Sequence, residues 1–128
     1  MNRIKLYISL LILAVLIVAC GENRTDLQYL ESHSLATQNL LFKNSANFDR
    51  KNSPIVIDKK TLKNVLPINN DQTLLVCVDK NIVPSQMDDL NGDGLWDELV
   101  FQMDIKNREE KEIRIFKITT PDAARFSL

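Results

Sequence analysis

Pro84-Ser-Gln-Met-Asp-Asp-Leu-Asn-Gly-Asp-Gly-Leu-Trp-Asp-Glu-Leu-Val-Phe101, running on into Gln102-Met-Asp-Ile105, is the stretch on which the reading of this chain turns. Its end alternates: Leu99, Phe101, Met103 and Ile105 stand against Val100, Gln102 and Asp104. A period of two marks a β-strand with one face in a core. Its middle is the opposite, a run of short polar side chains that holds two of the chain's three glycines and its only tryptophan. Such residues hydrogen-bond their own backbone and accept left-handed φ, so they make tight turns. A turn that opens directly into a half-buried strand puts the region in β-structure.

Strands can be followed outward from there. Upstream, Pro54-Ile-Val-Ile-Asp58 is short and β-branched. Thr73-Leu-Leu-Val-Cys-Val-Asp79 is apolar at successive positions, as a central strand covered on both faces would be. Asp79-Lys80-Asn81 is a hairpin turn into Ile82 to Met87. Downstream, Lys106 to Lys111 is a charged turn, and Glu112 to Thr119 is a last strand. Its apolar positions change face between Ile115 and Phe116, which a bulge or burial of both faces would explain. Asp58 caps a short helix expected from Lys59 to about Leu66, ended by Pro67. Leu35 to Phe42 fits a strand or a short helix, and Asn44 to Ser53 reads as loop. Strands at roughly ten-residue spacing with short polar turns predict an all-β fold, a small antiparallel β-sandwich-like domain with one short helix.

The turn itself carries the chemistry. Asp89, Asn91 and Asp93 alternate, Gly94 follows, and Asp97 comes next. Counted from Asp89, these are positions one, three, five, six and nine of an EF-hand loop, with the Leu95 carbonyl at seven. Position twelve is Val100, which has no oxygen to close the shell; Glu98 or Asp88 would have to substitute. The far side has period two and not a helical period, so this is not an EF-hand. It resembles the calcium loops between strands of extracellular β-proteins. A hard cation suits such a set of oxygens, and without one the crowded carboxylates repel each other. The expectation is a structural calcium held by Asp89, Asn91, Asp93, Leu95, Asp97 and Glu98, against the alternative of an ion-free polar turn. Trp96, inside the loop, would either stack on a sugar ring or cover the edge of the core. Asp97 and Glu98 are adjacent on a strand and point apart, which suits them poorly for a glycosidase pair.

The start of the chain bears on compartment. Asn2, Arg3 and Lys5 precede an almost unbroken apolar run from Leu6 to Ala19, in the pattern of a secretory signal peptide. The run closes on Ile17-Val18-Ala19-Cys20, which resembles the bacterial lipoprotein box. That resemblance implies cleavage before Cys20 and lipid on its thiol, with each buried methylene adding about 0.8 kcal/mol of membrane attachment. The organisation expected is signal peptide over 1–19, lipidated cysteine and polar tether over 20–34, with a helical turn left open over Thr25 to Leu30, and β-rich domain over 35–128. The protein would then sit in the cell envelope, anchored by lipid at the outer membrane.

Composition excludes several classes. Arg3 and Lys5 are the only charges before Cys20, so the rest of the chain sets 14 basic residues against 17 acidic ones, a formal charge of −3. That offers no basic surface for nucleic acid. Cys77 is the only cysteine besides Cys20 and lies in an apolar strand, so no disulfide framework is expected and the thiol reads as a small hydrophobe. With His33 the only histidine, neither a zinc site nor a histidine-based triad can be assembled.

The Pro84–Phe101 segment also resembles the signature of domain-of-unknown-function family 4861, a family of Bacteroidetes-type lipoproteins. The preceding Arg50-Lys-Asn-Ser-Pro54-Ile-Val-Ile57 and the strand from Lys111 to Thr119 fit the same family, over about residues 44 to 124. The resemblance implies a place in the use of uronic-acid-containing polysaccharides, by association. Family members are several times longer, so the chain is expected to be a shortened or truncated relative whose sheet is incomplete or is completed by a partner chain. Two functions follow. One is a non-enzymatic, calcium-stabilised accessory or glycan-binding module; the other is an inactive N-terminal fragment of a larger carbohydrate-active enzyme. Neither assigns a catalytic residue in this chain.

Overall fold

The computed structural model describes residues 25–126. The signal peptide and lipidated Cys20 expected from the sequence lie outside the described residues. Seven strands make two antiparallel sheets. In chain order they are β1 (Ala36–Lys43), β2 (Arg50–Asp58), β3 (Gln72–Val78), β4 (Asn81–Val83), β5 (Ser85–Asp88), β6 (Glu98–Ile105) and β7 (Glu110–Thr119). The four-stranded sheet runs β1-β7-β3-β4 and the three-stranded sheet runs β2-β6-β5. Among the described residues two helices, α1 (Asp26–His33) and α2 (Thr120–Ala123), bracket the strands in sequence. This is the β-sandwich-like fold that the strand spacing implies.

The alternation in β6 works as read. Leu99, Phe101, Met103 and Ile105 point inward and are buried, with Ile57 of β2 beside them. They meet Leu74, Val76 and Val78 of β3 and Ile113 and Ile115 of β7 in one core between the sheets. Leu62 and Val65, from the link between β2 and β3, are fully buried in the same core. That link is helical only over Lys59–Thr61, a single 3-10 turn capped by the Asp58 carboxylate. The helix expected to reach Leu66 is therefore shorter. The buried side chain of Gln38 in β1 fixes the link instead: its Nε2 donates to Thr61 O (2.6 Å), and Asn64 N–H donates to its Oε1 (3.0 Å). These two bonds satisfy backbone groups at the end of that turn and just past it.

Pro84 divides what the sequence suggests is one strand. After the hairpin turn, where Asp79 and Lys80 both have positive φ, β4 pairs with β3, and β5 then pairs with β6 in the other sheet. The loop before β2 ends at Asp49, because Arg50 already pairs with Ile105. An irregularity between Arg50 and Ser53, with Asn52 at φ 47, re-aims the strand there. Along β7 the register is unbroken against both neighbours. The change of face at Ile115 and Phe116 is thus burial on both sides, with no bulge.

What covers the second side corrects the expected tether. From Thr25 onward the segment is not a polar tether: Asp26–His33 is a helix lying on the four-stranded sheet. Its Leu30 is fully buried against Leu75, Cys77, Phe116, Ile118 and Phe126. Thr25 and Gln28 form a capping box that satisfies orphan N–H groups at its start. Arg114 of β7 binds Glu31 at 2.7 Å. Among the described residues no helix is long and apolar enough to cross a membrane.

Candidate functional site

The acidic loop joins β5 to β6, at one end of the three-stranded sheet. Its neck is closed by backbone: Asp97 N–H donates to Asp88 O (2.7 Å) and Lys59 N–H to Asp97 O (2.9 Å). Inside, each acidic or amide side chain named by the spacing turns back onto the loop. Asp89 accepts Gly92 N–H on Oδ1 (2.7 Å) and Gly94 N–H on Oδ2 (2.8 Å). Asn91 Oδ1 accepts Asp93 N–H (2.8 Å), and Asp93 Oδ1 accepts Leu95 N–H (2.8 Å). Asp97 Oδ2 reaches across to Leu90 N–H (2.9 Å) and so ties the outgoing arm to the incoming one. Gly92 and Gly94 sit at φ 76 and 84, where a β-carbon would be strained. The bonds from Gly94 and Gly92 hold the Asp89 carboxyl below the ordinary aspartate range.

The donor chemistry fits a hard cation: carboxylates at Asp89, Asp93 and Asp97, an amide oxygen at Asn91 and a carbonyl at Leu95. Oxygens already bonded to N–H keep a lone pair for a metal. Among the described residues no group of three or more His, Cys, Asp or Glu is gathered as a metal-holding set. Glu98 belongs to β6 and faces away from the core with Val100 and Gln102, opposite Asp58 on one side and Asp88 on the other. The loop thus carries Asp89, Asn91, Asp93, Leu95 and Asp97 along one turn without gathering the three carboxylates as a set, while Glu98 lies on the sheet.

Trp96 is half-buried against the sandwich core. Lys59 Nζ lies over its ring, 4.9 Å from the centroid, and donates to its carbonyl oxygen at 3.1 Å. The indole therefore joins the loop to the start of the β2–β3 link.

Two arrangements were not read from the sequence. The first is the outer face of the three-stranded sheet. The cross-strand register aligns Asp58, Glu98 and Asp88 in one row. Beyond them lies an open groove of about 390 Å³, lined by Pro54, Pro84, Ser85, Gln86, Val100 and Gln102. Alternation marks Val100 and Gln102 as outward-facing, but the row needs strand register, which a single sequence does not supply. The second joins the two ends of the described chain. Tyr29 Oη donates to Asp122 Oδ1 (3.0 Å), and Thr119 Oγ1 donates to Asp122 Oδ2 (2.7 Å). Arg125 lies over the Tyr29 ring at 4.2 Å, and His33 stacks on that ring at 3.9 Å. The Thr119 and Tyr29 bonds lower the Asp122 pKa, and the Asp122 bond raises that of Tyr29.

Fold and loop together define a small all-β domain of two antiparallel sheets with an Asp/Asn/Gly loop opening into a central strand. The chain belongs to the family of the domain of unknown function DUF4861, whose family model matches residues 42–127. The match takes in all of the strands from β2 onward and the loop, and leaves α1 outside. No curated protein and no solved structure matches the chain.

Proposed function

We propose that this chain is a lipid-anchored module of the cell envelope whose β-domain is fastened by calcium and serves polysaccharide utilisation by binding, without catalysis. The observation that carries the reading is the loop from Asp88 to Asp97. Five oxygen-bearing positions at calcium-loop spacing are held in one closed turn by bonds from its own N–H groups. Calcium would draw on Asp89, Asn91, Asp93, Leu95 and Asp97, with Glu98 as a reserve. Extracellular loops of this kind bind with Kd on the order of 10⁻⁴ to 10⁻³ M. Binding to the folded loop alone stabilises the domain by mass action.

The groove beyond the acidic row of the outer sheet face supports the glycan part. Gln86, Gln102 and Ser85 offer donors and acceptors over a floor of Pro54, Pro84 and Val100, a mixture that suits the hydroxyl and C–H faces of a sugar. The Asp58, Glu98 and Asp88 carboxylates beside it repel a polyanion, so an acidic polysaccharide requires the cation and a neutral one does not. The lipid part rests on Ile17-Val18-Ala19-Cys20.

The test is thermal unfolding of the full chain in detergent micelles, in EDTA and in millimolar calcium, with an Asp93→Ala variant alongside. At a hundred times Kd, linkage adds about 2.7 kcal/mol. Calcium is expected to raise the wild-type midpoint and leave the variant unmoved. Identical wild-type midpoints in both buffers would remove the metal from the reading. Retention on an immobilised uronic-acid polysaccharide, gained with calcium and lost in EDTA, tests the rest; no retention on acidic or neutral glycan in either buffer overturns it.

A further inference from the structure

Asn91 is followed by glycine, and it is the only asparagine in the chain that is. Glycine leaves its own nitrogen open to the preceding side chain, and a β-carbon built on Gly92 meets nothing within 4 Å. Both residues are exposed to solvent. Two bonds hold the reacting atoms. The Gly92 nitrogen has its proton directed at Asp89 Oδ1 (2.7 Å), a short bond to a charged acceptor. The Asn91 carboxamide is fixed through Oδ1 by Asp93 N–H (2.8 Å). We propose that the Asn91–Gly92 bond is a self-modification site, in which the chain deamidates itself through a succinimide when the loop opens, and that the Asp89 and Asp93 bonds hold this reaction in check while the loop is closed.

The step balances without any outside oxidant or reductant. The Gly92 nitrogen gives up its proton to solvent and attacks Asn91 Cγ. A C–N bond forms, the carboxamide nitrogen takes a proton back from solvent, its bond to Cγ breaks, and it leaves as ammonia. Water then opens the five-membered imide at one of its two carbonyls. One opening leaves aspartate at position 91 and the other leaves isoaspartate, whose backbone runs through the side chain and gains a methylene. Proximity makes the attack possible, and orientation decides its rate. The nitrogen becomes available only in local openings that break its bond to Asp89. An isoaspartate would shift Asp89 and Asp93 out of step, so the loop could not close again. The inference rests on these hydrogen bonds and not on a bound ion, and its test is made in EDTA.

The full chain in detergent micelles is incubated at mildly alkaline pH and mapped by peptide mass spectrometry for amide-to-acid conversion at every asparagine. Asp93–Gly94 can also isomerise, but without a change of mass, so it does not confuse the readout. The denatured chain is expected to convert Asn91 ahead of all other asparagines, and the native chain to do so many-fold more slowly. Asp89→Ala, which frees Gly92 N–H, is expected to recover most of the denatured rate at Asn91 alone. A folded Asp89→Ala chain with the wild-type rate overturns the proposal, as does a native chain that reacts at the denatured rate. Should the variant fail to melt cooperatively, amide exchange of Gly92 in the wild-type chain decides. Conversion that rises in proportion to Gly92 opening supports the check, and conversion independent of it refutes it.

Discussion

At the scale of single residues, Asp89 holds the loop together, since its two oxygens take the N–H groups of both glycines that make the turn. Those bonds favour its charged form and put its pKa below the ordinary 3.8. A carboxyl with a depressed folded pKa adds stability that is complete above the unfolded value and is lost as pH falls through the folded one. Acid titration followed by Asp89 and Gly94 NMR shifts is therefore expected to show the loop loosening only below pH 3.8, ahead of global unfolding. Gly94 makes the complementary case. At φ 84 with open space around it, Gly94→Ala has nothing to collide with, so its cost of about 1–2 kcal/mol is backbone strain alone. Denaturant unfolding should show that loss, and Asn in place of Ala should recover part of it. The alternation of Asp89, Asn91 and Asp93 made these positions legible in the sequence. The closing bond from Leu90 N–H to Asp97, and Lys59 over Trp96, were not, because each joins residues whose approach depends on how three strands converge.

Among the elements, α1 was the least legible. Its residues are mostly polar, and an isolated helix of this length is marginal in water. Its one local signal is the Thr25-Asp-Leu-Gln28 capping box; what holds it is tertiary, through Leu30 beneath it and Tyr29 and Glu31 at its flank. Leu30→Ala should thus weaken helix docking by about 2–5 kcal/mol, the usual range for emptying such a site. Hydrogen exchange would show the change as lost protection across residues 26–33. The Tyr29–Asp122 bond adds a pH dependence at the other end of the scale. Asp122 keeps the Tyr29 hydroxyl protonated, so its pKa is raised. Stability from such a group is complete below pH 10.0 and lost as pH rises through the raised value. Alkaline titration should release α1 in the wild type, and Tyr29→Phe should abolish that step while leaving the strands intact. The helix expected after Asp58 failed for a similar reason: Leu62 and Val65 are apolar because they are buried in the core between the sheets, and their spacing happened to look helical.

For the whole molecule, the decisive feature is that β3 and β7 belong to two apolar clusters at once. Ile113 and Ile115 face the other sheet, while Phe116 and Ile118 face α1. The sequence showed this as an apolar run in β3 and a change of phase in β7, and the spacing of strands showed the sandwich. It could not show which strand joins which sheet, because the crossing at Pro84 looks like an ordinary proline in a strand. Sharing β7 has a mechanical consequence. The inter-sheet core is expected to stay closed if α1 leaves, while Cys77, Leu75 and Phe116 lose that cover. Cys77 is buried, and that burial raises its pKa, so in the closed state its thiol is both covered and protonated. Its reaction with a thiol reagent should therefore report how often α1 lifts, well below the temperature at which the sheets separate. Leu30→Ala is expected to speed Cys77 labelling many-fold, while Ile115→Ala, on the neighbouring strand β7 and the opposite face of the same sheet, should lower the melting midpoint more than it changes labelling under native conditions. Equal acceleration by both variants would mean that helix and sandwich open together, as one cooperative unit.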